Sequence, residues 1–117
     1  MKVNVNIYIK NSIGVLEISA KILGDPDAYE LPAQVNDLIT KGIKNFILDL
    51  SAVRSINSIG IGNIMECLVS VKRAGGQLKV AAVAEKIIDT LALMEIDQLF
   101  EIYEDIEGAL FSYQHDS

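Results

Sequence analysis

Apolar and polar residues alternate at the start of the chain, with Val3, Val5, Ile7 and Ile9 on one side and Asn4, Asn6 and Tyr8 on the other. A period of two is the pattern of a half-buried strand. After Lys10-Asn11-Ser12, the residues Ile13, Val15, Leu16 and Ile18 predict a second strand, and the two are expected to form a hairpin. Gly24-Asp25-Pro26-Asp27 then breaks the chain. Pro32 suits the first turn of a helix whose apolar face is Leu31, Val35, Leu38 and Ile39, with Gly42 as its stop.

Phe46-Ile47-Leu48-Asp49-Leu50 is short and nearly all apolar, as a central strand covered on both faces would be. Past a loop leading to Ser58, the residues Ile61, Ile64, Met65, Leu68 and Val71 recur at helical spacing until Gly75-Gly76. Leu78, Val80 and Ala82 predict a strand, and Ile87, Ile88, Leu91 and Met94 a third helical face. Phe100 and Ile102 predict a last short strand, and Ile106, Ala109, Leu110 and Tyr113 a closing helix. The order ββαβαβαβα implies an α/β fold with right-handed crossovers: a mixed, mainly parallel sheet that opens with an antiparallel hairpin.

With 117 residues, half of them hydrophobic, the chain supports one core, read as a single domain over 1–117 with 113–117 as a frayed tail. Ten Lys and Arg against sixteen Asp and Glu give a net charge of −6, which argues against direct binding to nucleic acid or to an anionic membrane surface. No apolar run reaches the roughly 18 residues of a membrane span, and strand-like alternation starts at once, so the chain is expected in the cytoplasm. Cys67 has no second cysteine to pair with and lies in a helical apolar pattern, where packing is its expected role.

The candidate chemistry gathers between Asp49 and Gly62. Ser58 falls at the predicted mouth of the second long helix, where a hydroxyl can cap exposed backbone N–H groups. Gly60 and Gly62 remove side chains from the first turn, so another surface could approach closely. Ile56, Ile59 and Ile61 supply apolar surface suited to a protein interface, and Arg54 is placed to steer an acidic partner or steady a phosphate. Ser51 and Ser55 are nearby alternatives to Ser58. Asp25 and Asp27 flank a proline and read as turn and cap residues, so no metal is expected. Gly-Ile-Gly lacks the rest of a nucleotide-binding loop, and His115, the single histidine, sits in a polar tail without a catalytic setting. No cofactor and no enzymatic activity are expected.

Read together, Gly24-Asp25-Pro26-Asp27 with Pro32, Asp49-Leu50-Ser51, Asn57-Ser58-Ile59-Gly60-Ile61-Gly62, Gly75-Gly76 and Ile96-Asp97-Gln98-Leu99-Phe100 resemble the STAS family of bacterial anti-sigma factor antagonists. The resemblance covers nearly the whole chain and implies partner switching. The unmodified antagonist binds an anti-sigma factor that is also a serine kinase, which frees a sigma factor; phosphorylation breaks the complex, and a serine phosphatase restores it. Ser58 matches the phosphoacceptor position. Asp25, Asp27, Arg54, Ile56, Asn57, Ile59, Gly60, Ile61 and Gly62 are then expected to form or flank the partner surface. The chain departs from the family in having Asn57 for the usual aspartate and Glu95 for a glycine. The alternative expectation is a constitutive STAS-like subunit of a transport or signalling assembly, with Ser58 only a helix cap. A nucleotide-sensing domain ranks third.

Overall fold

The computed structural model describes residues 3–24 and 30–115. Strands β1 (Asn4–Lys10) and β2 (Ile13–Leu23) are followed by helix α1 (Glu30–Thr40), strand β3 (Asn45–Ile56) and helix α2 (Ser58–Arg73). Then come β4 (Leu78–Ala81), α3 (Glu85–Leu93), a 3-10 turn over Asp97–Leu99, β5 (Glu101–Tyr103) and α4 (Ile106–His115). The sheet order is β1-β2-β3-β4-β5, antiparallel only between β1 and β2. The expected class, α/β in the order ββαβαβαβα, is the observed one.

Local chemistry explains the joints. Asn11 and Ser12 both take positive φ, 54° and 66°, which is the backbone of a type I′ turn and fits the twist of a two-residue hairpin. α3 ends with Ile96 N–H donating to the Leu91 carbonyl and Glu95 N–H to that of Ala92, the paired bonds of a Schellman stop. Glu95 sits there at φ 59°, so the turn is left-handed even without the family's glycine.

The main core lies on one face of the sheet, where Leu16, Ile18, Phe46, Leu48 and Leu50 meet Leu31 and Val35 of α1, Ile64, Cys67 and Val71 of α2, and Ile87 of α3. α4 alone packs on the other face, with Ala109 and Leu110 against Ile13, Val15, Ile47 and Ala81. Beneath it the Lys79 side chain is fully buried, its Nζ 2.7 Å from Ser112 Oγ and 4.0 Å from the Tyr113 ring centroid. Tyr113 Oη donates to the Phe46 carbonyl at 2.7 Å. The tail expected to fray from residue 113 is therefore helical as far as His115.

Three expectations are corrected. The central strand continues past Leu50 to Ile56, so Ser51–Ile56 is not a loop. A bulge opposite Glu17 and Ser19 places the exposed Ser51 and Ala52 between the buried Leu50 and Val53, which hides the alternation that marks a strand. Ala82 leaves β4 with φ 59°, and Met94 caps α3 instead of belonging to it.

Candidate functional site

β3 and β2 end side by side, Ile56 abreast of Leu23, and α2 begins at once from that edge. Asn57 is its N-cap, with φ −113° and ψ −177°. Its Oδ1 accepts from the backbone N–H groups of Ile59 and Gly60 at 3.0 and 3.1 Å, and its own N–H donates to the Leu23 carbonyl at 3.1 Å. The cap is thus Asn57, and the expectation that Ser58 caps the helix is overturned. Ser58 occupies the first helical position. Two good capping residues stand next to each other in the sequence, and only the extended backbone of Asn57 decides between them.

Ser58 is exposed, and its hydroxyl makes no hydrogen bond among the described residues. It opens a shallow groove along the outer face of α2, lined also by Ile59, Gly62, Met65, Glu66 and Val69. Ile59 is 41% exposed and Val69 45%. Met65 packs against the core as its apolar spacing predicts, while sequence reasoning missed Glu66 and Val69 as surface residues, although Ser58, Gly62 and Glu66 recur at the i, i+4 spacing of one helix face. Gly62 has nothing within 4 Å of where a Cβ would stand. The first turn contains no acidic residue and the cap is the neutral Asn57, so the helix's own start supplies no negative charge to the positive end of its dipole.

Other expected members of the surface turn inward. Gly60 is buried, and a Cβ there would run into the Leu23 carbonyl oxygen. Its close approach is to the protein's own β2, not to a partner. Ile61 is 6% exposed and belongs to the core, while Ile56 is half-buried beside it. Arg54 is exposed on β3. Asp25 and Asp27 lie outside the described residues. Gly24, read from sequence only as a chain break, packs against the Asn57 side chain at φ 147°, where any Cβ would collide with the cap.

Cys67 is fully buried, and burial first, then the charge of Glu66, pushes its thiol up to about 12. That is a packing residue and not a nucleophile. Among the described residues, no cluster of three or more His, Cys, Asp or Glu is placed to hold a metal ion, and no helix is long and apolar enough to cross a membrane.

Comparison with known proteins gives the family and the fold. The model of the STAS domain matches residues 4–109. The chain belongs to the STAS domain family. A candidate anti-sigma factor antagonist of Thermotoga neapolitana is 32% identical over 79 residues, 68% of this chain and 70% of the relative. The crystal structure of a candidate antagonist from Thermotoga maritima superimposes with a TM-score of 0.82 at 27% identity, covering 92% of each chain. The anti-sigma factor antagonist SpoIIAA of Bacillus has been solved in unphosphorylated and phosphorylated forms. These forms share the fold with TM-scores of 0.71 and 0.74, at 12% and 11% identity, over 95% and 94% of this chain and 98% and 99% of theirs.

Proposed function

We propose that this STAS domain is an anti-sigma factor antagonist that works by partner switching, with Ser58 as its phosphoacceptor. The observation that carries the reading is an exposed hydroxyl in the first turn of α2, unbonded among the described residues, on a groove where Ile59, Met65 and Val69 alternate with Glu66 and Arg73. The unmodified form binds an anti-sigma factor serine kinase through Ser58, Ile59, Gly62 and the flanking rim, including Asn57, Arg54 and the half-buried Ile56, and so releases a sigma factor in the cytosol. The nucleotide belongs to the kinase, and a serine phosphatase resets the cycle. The domain contributes a binding surface and no catalysis.

A phosphoserine carries about −1.5 to −2 charges at neutral pH. At the start of α2 that charge meets a favourable dipole, with no acidic residue in the helix's own first turn, so the fold tolerates it. A partner closing over Ile59 and Gly62 must instead bury an unpaired dianion, at a cost of several kcal/mol. Each 1.4 kcal/mol is about a tenfold loss of affinity, enough to break a micromolar complex even with partial burial. Asn57 keeps the cap bonds but departs from the family's aspartate by placing no charge beside Ser58, and it is the feature of this chain that counts against phosphorylation there.

The test is incubation with the cognate kinase and ATP, followed by mass spectrometry that locates the modified residue. Phosphate on Ser58, absent in Ser58→Ala, is expected. An unmodified chain that binds its partner tightly would make it a constitutive assembly subunit instead.

A further inference from the structure

The described residues cover only half of the second face of the sheet. The β2–β3 register places its residues in rows: Val15 with Ile47, Glu17 with Asp49, then Ser19 with Ala52. Next come Ala20 and Val53, both buried in the main core, so alternation turns the following pair, Lys21 and Arg54, to the opposite face, side by side. α4 packs on Val15 and Ile47. Beyond it Ser19, Ala52, Lys21 and Arg54 are exposed, with Asn4 and Asn6 of β1 alongside.

Like charges on adjacent strands repel. Neither Lys21 nor Arg54 has an ion-pair partner among the described residues, in a chain with sixteen acidic side chains against ten basic ones. Among the described residues the pair is therefore a positive spot without an ion-pair partner, on a negative molecule, fronted by the short side chains of Ser19 and Ala52.

We propose that this open sheet face is a docking surface for a short carboxylate-bearing segment of a protein partner, with Lys21 and Arg54 holding the carboxylate. The guanidinium fork of Arg54 suits bidentate capture, and Lys21 adds a point charge. A long polyanion fits poorly. On the same face Glu17 lies four residues back from Lys21 and Asp49 five back from Arg54 across the bulge, roughly 13 Å along the strands, so a phosphate chain laid along β2 would run from cations onto acids. A short acidic peptide of about three residues spans only roughly 10 Å and so ends before it reaches those acids. The proposal deepens the reading in which Arg54 faces a partner, because it adds Lys21 and names the chemistry. Its test does not depend on Ser58.

The experiment is an NMR titration of the isotope-labelled chain at low salt with acetylated triglutamate amide, alongside the triglutamine analogue and an octathymidylate. Saturable shifts are expected at the amides of residues 19–22 and 52–55. They should vanish near 1 M salt, where the Debye length is about 3 Å, and in the Lys21→Gln, Arg54→Gln double variant. Each single substitution should weaken binding several-fold, and Ser58→Ala should leave it unchanged. Equal shifts from triglutamine, persistence in the double variant, or a stronger response to the oligonucleotide would overturn the proposal.

Discussion

Gly60 and Gly62 stand two residues apart in the same helical turn, yet they belong to different parts of the molecule. Gly60 lets α2 lie directly on the end of β2, where the Leu23 carbonyl occupies the place of a Cβ. Gly62 faces open space beside Ser58 and Ile59. One glycine builds the fold and the other keeps a surface bare. The first turn of α2 thus has an inner side of Gly60 and Ile61 and an outer side of Ser58, Ile59 and Gly62, with the exposed Asn57 cap at the rim between them, and the inner side is closed to a partner.

The division can be tested by substitution. Gly60→Ala should have the largest effect, because α2 must shift away from β2; overpacking of this kind costs about 1–3 kcal/mol, and a backbone carbonyl in the way puts this position at the upper end. Urea unfolding would show it, and an unchanged midpoint would erase the distinction between the two glycines. Asn57→Ala should cost about 1 kcal/mol through the lost cap. Ser58→Ala should stay within about 0.5 kcal/mol of the parent in the same measurement, as an exposed non-capping residue would.

Gly62→Ala should act in the opposite direction and stabilise the helix by about 0.5–1 kcal/mol, while its added methyl weakens partner binding. A destabilised Gly62→Ala protein would mean that this side is packed after all. Cys67 marks the inner side further along α2. With its thiol raised to about 12 by burial, it stays protonated and unreactive at pH 8. Iodoacetamide should label it far more slowly in the folded protein than in urea, and equal rates would contradict the assigned packing.

Much of this was legible in the sequence because burial in a sheet or a helix imposes a period. Val3 to Ile9 reads as a half-buried strand, and Ile61 to Val71 as a helix face, from spacing alone. Ser51 to Arg54 does not, since a bulge and an open sheet face remove the apolar alternation that a strand normally shows. The motif located the site but not its orientation. Whether Gly60 or Gly62 points outward depends on which residue begins the helix, and that is set by the backbone of Asn57. Lys79 gave no signal at all. Nothing near it in sequence reveals that Ser112 and Tyr113, more than thirty residues later, will enclose its charge.

The central claim is that a dianion on residue 58 is compatible with the fold and incompatible with the complex. The most direct measurement is the affinity of the cognate anti-sigma factor kinase for the unmodified, Ser58→Ala, Ser58→Asp and phosphorylated chains, each first shown to unfold at a similar urea concentration. The account predicts tight binding by the unmodified and alanine forms, with a loss of at least tenfold in the other two. Equal affinity across all four would contradict it.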